Sequence, residues 1–119
     1  MKLGEEDYAQ ITVSDWCLAN KIPFFHFASE RKCGVIYGKI LKRKGAKRGV
    51  SDCFLPRPNA RFHGIWIELK IAPNGLTKEQ KAFIEDRKEE GYYAVCCREK
   101  TSTELASAAI EVIKNFYLL

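Results

Sequence analysis

The stretch from Gly64 to Ile71 constrains the fold more than any other part of the chain. Its alternation is clean. Ile65, Ile67 and Leu69 point one way, and Trp66, Glu68 and Lys70 point the other. Pro56 and Pro58 precede it, and Pro73-Asn74-Gly75 follows as a turn. Thr77 then caps a helix, with Gln80 three residues later as in a capping box. Leu76, Gln80, Phe83, Ile84 and Arg87 form the inner face of that helix, and Gly91 ends it. Tyr92 to Cys97 reads as the next strand.

The flanking segments complete an α/β pattern. A first helix is expected from Glu5 to Ala19, with Glu6, Ala9, Gln10, Val13, Trp16 and Cys17 on one face. Glu6 and Gln10 are out of place in an apolar stripe, because a buried carboxylate needs a cation, a donor or a metal. Asn20 and Pro23 end this helix, and Ile22 to Phe27 reads as a short strand, apolar on both faces. Ser29 to Arg48 is the least regular part and fits a short helix followed by a loop. Val50 to Leu55 is expected to be a strand, and Thr101 to Tyr117 the last helix. Thr101 and Glu104 suit a capping box there, and Leu105, Ala109, Val112 and Phe116 form the apolar stripe. The order is α-β-(basic segment)-β-β-α-β-α.

At 119 residues the chain is expected to be one domain, spanning 1–119. The net charge of +5 favours a polyanionic partner, though weakly. Five cysteines occur without a Cys-x-x-Cys pair, and His26 and His63 sit in no ligand cluster. The thiols of Cys17, Cys33, Cys53, Cys96 and Cys97 are therefore read as free and mostly buried, in a reducing compartment. The beginning of the chain lacks the apolar core of a signal peptide, and no run is long enough to span a membrane. An intracellular protein is expected.

The chemistry concentrates in three residues. Asp52 and Glu68, on neighbouring strands, are placed to converge on a hard divalent cation, which prefers oxygen ligands. Lys70 shares the strand face of Glu68, because side chains alternate with period two. Its ammonium would orient a water or stabilise a pentacovalent phosphorus. Glu6 and the Leu69 backbone carbonyl are further candidate ligands. Lys39, Lys42, Arg43, Lys44, Lys47 and Arg48 form a dense basic segment suited to phosphate binding. Each piece also has a plainer reading. Asp52 fits a turn or a pair with Arg48, and Glu68 and Lys70 fit the exposed face of an edge strand. Gln80 fits a capping residue, and the basic run fits a solvated face.

Taken together, these pieces resemble the VRR-NUC family, the virus-type replication-repair nucleases of the PD-(D/E)xK superfamily. The resemblance rests on Glu6-x-x-x-Gln10, Gly49-Val50-Ser51-Asp52, Gly64-Ile65-Trp66-Ile67-Glu68-Leu69-Lys70 and Leu76-Thr77-x-x-Gln80. Phe83 through Gly91 to Val95, and Ala109-Ile110-Glu111-Val112-Ile113-Lys114, also fit, so it covers essentially the whole chain. It implies a restriction-endonuclease-like αβββαβ core with an added C-terminal helix and a mixed central sheet. It implies Asp52, Glu68 and Lys70 as the catalytic set, supported by Glu6 and Gln80, with Mg2+ or Mn2+ as cofactor. Stand-alone members of this size resemble small phage or bacterial proteins that form homodimers and cut branched DNA such as four-way junctions. That would place the chain in the cytoplasm of a bacterial or phage-infected cell. One departure falls in His26-Phe27-Ala28-Ser29-Glu30, where Ser29 stands in place of the Asn common in relatives.

The expectation is a metal-dependent endonuclease acting on branched DNA. Its rivals are a nonspecific or nicking nuclease and a catalytically inactive basic nucleic-acid-binding module. Paired cuts in a junction need two sites related by a two-fold axis, hence a homodimer. Phe24, Phe25, Phe27, Val35, Ile36, Tyr37, Ile40 and Leu41 supply apolar material for its interface.

Overall fold

A computed structural model describes residues 2–27 and 34–119. Ala28, Ser29, Glu30 and Cys33 lie outside the described residues, and with them the Ser29 departure and one of the five thiol assignments. Helix α1 spans Glu5–Ala19, strand β1 Phe25–His26, helix α2 Val35–Arg43 and strand β2 Cys53–Leu55. Strand β3 spans Ile65–Ile71, helix α3 Lys78–Glu89, strand β4 Tyr93–Glu99 and helix α4 Ser102–Tyr117. This is the expected αβββαβ core with a C-terminal helix, and α2 is set into the basic segment.

The four strands form one mixed sheet in the order β1-β2-β3-β4. β1 and β2 are antiparallel, as are β2 and β3, while β3 and β4 run parallel with α3 as the crossover. β3 is therefore central. With Glu68 buried, the plainer reading of it as the exposed face of an edge strand does not hold.

One face of the sheet carries the core. Ile65, Ile67 and Leu69 of β3 are buried against Ala9, Val13 and Cys17 of α1 and Leu105, Ala109 and Ile113 of α4. Full burial of each large aliphatic side chain contributes about 1.5–3 kcal/mol, which fixes the register of β3. A one-residue slip would turn Glu68 into this core. On the other face Trp66 stacks on Phe54, with ring centroids 4.2 Å apart, and meets Phe83 of α3 edge-on at 5.0 Å.

Three strands and one cap differ from expectation. β1 holds two residues rather than the expected run from Ile22 to Phe27, and it pairs only with the short β2. Phe25 in β1 and Phe27 just after it are 53% and 43% exposed. β2 begins at Cys53 rather than Val50, for a reason that lies in the site itself. β4 extends to Glu99, two residues past Cys97, because β3 continues beside it to Ile71. At α4 the Thr101 hydroxyl accepts from the Glu104 N–H. It also donates to the Glu104 carboxylate at 3.1 Å, in place of the reciprocal bond to the Thr101 backbone.

α2 has no buried residue, and no other helix or strand among the described residues packs extensively against it. No helix among the described residues is long and apolar enough to cross a membrane.

Candidate active site

β2 and β3 separate at the point where the acidic residues stand. The antiparallel register pairs Cys53 with Ile67, and its continuation would pair Ser51 with Leu69. The chain turns away instead. The Leu69 N–H donates to Asp52 Oδ2 at 2.8 Å, so a side chain takes the place of the backbone partner. This is why β2 is shorter than the sequence suggests. In an extended strand the N–H and C=O of one residue point to the same edge, so the Leu69 carbonyl opens onto the gap that Asp52 occupies.

Local geometry holds that departure. Gly49 has φ +87°, and a Cβ there would lie 2.6 Å from the Glu79 backbone. Only glycine lets the chain pass that close to the first turn of α3. On the other side, His26 Nδ1 lies 2.9 Å from the Asp52 carbonyl, closer than the Phe27 N–H at 3.4 Å. Asp52 is thus tied by its side chain to β3 and by its backbone to β1.

Glu68 is 3% exposed, and its Oε1 has no hydrogen-bond partner. Burial pushes its carboxyl up to about 10. A proton shared with Asp52 and the Asp52 charge push the same way, and Lys70 opposes them. A buried carboxylate at this position requires a cation or a proton. Glu6 reaches the same region from the start of α1. Burial raises its carboxyl as well, while Lys70 and the Ile71 N–H draw it down and Asp52 adds to the rise. The structure therefore brings Glu6, Asp52, Glu68 and Lys70 into one electrostatic cluster at the C-terminal end of β3. This accounts for a carboxylate on the apolar face of α1.

The donor set fits a hard divalent cation. Two carboxylates, one with an orphaned buried oxygen, face a backbone carbonyl, and such ions take oxygen ligands. Among the described residues no three His, Cys, Asp or Glu side chains converge closely enough to hold an ion as they stand. Glu6, Asp52 and Glu68 thus act on one another electrostatically without forming a ready-made cage. The Gln80 side-chain oxygen is held in its cap: Oε1 accepts the Thr77 N–H at 2.8 Å, and the Gln80 backbone N–H donates to Thr77 Oγ1 at 3.1 Å. The six residues Lys39, Lys42, Arg43, Lys44, Lys47 and Arg48 are all exposed, on α2 and the turn after it.

No family model matches the chain, and no curated protein matches it. A solved structure described as a VRR_NUC domain protein superimposes with a TM-score of 0.76 at 26% identity, covering 98% of this chain and 90% of that one. The chain is similar in fold to that VRR_NUC domain protein over nearly its whole length. With 98% of the chain covered, this is a likeness of the whole fold and not of one motif.

Two features of this site are not visible in the linear sequence. His26, which sits in no ligand cluster there, is a structural hold on Asp52. Cys96 is the Cα partner of Glu68 across β3 and β4. The strand pairing alone reveals that neighbour, since nothing in a linear reading sets position 96 against position 68. Arg98, the partner of Lys70, grips the following turn by donating to the carbonyls of Asn74 and Pro73, each at 2.8 Å.

Proposed function

We propose that the chain is a Mg2+- or Mn2+-dependent DNA endonuclease that hydrolyses phosphodiester bonds in branched DNA. The observation that carries this reading is Glu68, a buried acid with an orphaned oxygen, set between Asp52 and Lys70 on a VRR-NUC fold. The proposed ligands are Asp52, Glu68 and the Leu69 carbonyl, with Glu6 as an outer carboxylate. A hard divalent ion, when bound, supplies a lowered water pKa and charge for the leaving oxygen. Asp52 and Glu68 hold two oxygens on the β2–β3 gap and keep them fixed through strand geometry. Lys70 brings an ammonium to the same strand face, where charge develops on the phosphorus oxygens. Gln80 supports the site through the amide nitrogen that its cap leaves available.

The exposed cations of α2 and its following turn are proposed to carry the DNA backbone. The exposed apolar residues of α2 are proposed to support the homodimer. Val35 and Ile36 are 76% and 78% exposed, Tyr37 and Ile40 are 57% and 47% exposed, and adjoining apolar surface of this kind marks contacts. Phe24 belongs elsewhere, since it packs against the core.

The test combines synthetic four-way junctions, linear duplex and plasmid with Mg2+ or EDTA, and light scattering of the free protein. The reading expects a dimer that makes paired, Mg2+-dependent cuts in the junction. A monomer that makes paired cuts refutes the dimer. A monomer that only nicks plasmid supports a nonspecific nuclease, and a protein that binds all three DNAs and cuts none supports an inactive binding module.

A further inference from the structure

Cys96 and Glu68 are paired residues of neighbouring parallel strands, so their side chains stand on the same face of the sheet. Burial raises the Cys96 thiol above its ordinary value, and Glu68 and Asp52 add to the rise while Lys70 opposes it, so its proton is held until a cation displaces it. Its hydrogen bond is a long one, 3.8 Å to the Cys97 carbonyl, and a thiol is a weak donor. Turning away from that carbonyl costs little. Glu68, independently, presents a buried oxygen with no partner. A nuclease site built only from oxygen donors has no preference for soft ions, and a thiolate beside two carboxylates creates one.

We propose that Cys96 makes this site a binding site for thiophilic divalent cations, held by Cys96 Sγ and Glu68 with Asp52 as third donor, in competition with the hard ion. The proposal rests on the reading of Asp52 and Glu68 as metal ligands. Since three donors do not converge as they stand, capture includes a rotation of the Cys96 side chain between staggered wells. The sulfur–metal bond forms as the thiol proton leaves to solvent, and nothing is oxidised or reduced. A thiophilic ion so held occupies the gap in place of Mg2+ or Mn2+ and blocks cleavage. The cation inhibits by occupancy, and a chelator reverses it.

The probe is Cd2+ alone, titrated into the full chain carrying Cys33→Ser, with bound metal first stripped by EDTA and removed. The readout is the ultraviolet sulfur-to-cadmium charge-transfer band. The expected result is a saturable band that Mn2+ competes away, that Cys96→Ser abolishes and that Glu68→Gln weakens at least about tenfold. Cys96→Ala is a second variant, for the event that a hydroxyl disturbs the half-buried position. A band that persists in both Cys96 variants, or that Mn2+ leaves untouched, overturns the proposal. Mn2+ calorimetry on Asp52→Asn and Glu68→Gln separates the two levels. If those variants lose Mn2+ while the Cys96 variants keep the cadmium band, the metal-site reading stands and the Cys96 proposal fails. If they bind Mn2+ as the unmodified chain does, the metal-site reading fails and the proposal falls with it.

Discussion

The Asp52 carboxylate accepts the Leu69 N–H at 2.8 Å and so stands where a strand partner would otherwise be. One side chain thereby ends β2, opens the gap in the sheet and lines that gap with acid. Asp52→Ala and Asp52→Asn separate these roles. Alanine leaves a half-buried N–H without a partner, at a cost of about 1–2 kcal/mol. Asparagine keeps an acceptor oxygen but loses the charge. Thermal unfolding is expected to show Asp52→Asn close to the unmodified chain and Asp52→Ala below it, while plasmid cleavage is lost in both.

Glu68 sets a pH dependence with a definite sign. Its folded carboxyl is raised from 4.5 to about 10, so across that window the native state holds a proton that the unfolded chain releases. Stability of the metal-free protein therefore falls as pH rises through that window. Glu68→Gln is expected to raise the unfolding temperature in EDTA and to flatten this slope. Glu6, raised by burial in the same direction, leaves a smaller residual slope. Unfolding in EDTA at several values below about pH 8 checks this before the thiols of the unfolded chain begin to titrate. An unfolding temperature that climbs with pH over that range contradicts the assignment.

Lys70 is proposed to act on charge that develops during the reaction and not as a ligand. Lys70→Ala is expected to lower the cleavage rate by about 100-fold or more while calorimetry shows the same Mn2+ binding. Lys70→Arg is expected not to rescue, because a planar fork does not replace a compact ammonium. Loss of metal binding in Lys70→Ala would make its role structural.

Neutralising Lys42, Arg43, Lys44 and Lys47 together is expected to weaken DNA binding and flatten its salt dependence, by about 0.9 in log–log slope for each phosphate that the protein no longer neutralises. Metal affinity should be unaffected. An unchanged slope would mean that the α2 segment points away from DNA.

The fold was legible because its strongest signals are local. The alternation of β3, the Thr77 cap and the apolar stripes of α1 and α4 each follow from a few adjacent residues. Glu6 was legible as an anomaly, a carboxylate in an apolar stripe, and its resolution is the cluster at the end of β3. What was not legible depends on pairing. The early end of β2 follows from an Asp52 side chain displacing a backbone partner, which a propensity for strand at Val50 to Leu55 does not register. The places of His26 beside the Asp52 backbone and of Cys96 beside Glu68 follow from strand register, which only the assembled sheet fixes.

The most direct test is relaxation of supercoiled plasmid by the unmodified chain and by Glu68→Gln, each with Mg2+ and with EDTA. Glu68→Gln keeps the shape of the buried side chain and removes its ionisable proton, so a loss of activity cannot be assigned to a cavity. The account predicts cleavage by the unmodified chain with Mg2+, none with EDTA, and none by a folded Glu68→Gln under either condition. Equal cleavage by Glu68→Gln, or cleavage by the unmodified chain in EDTA, would contradict it.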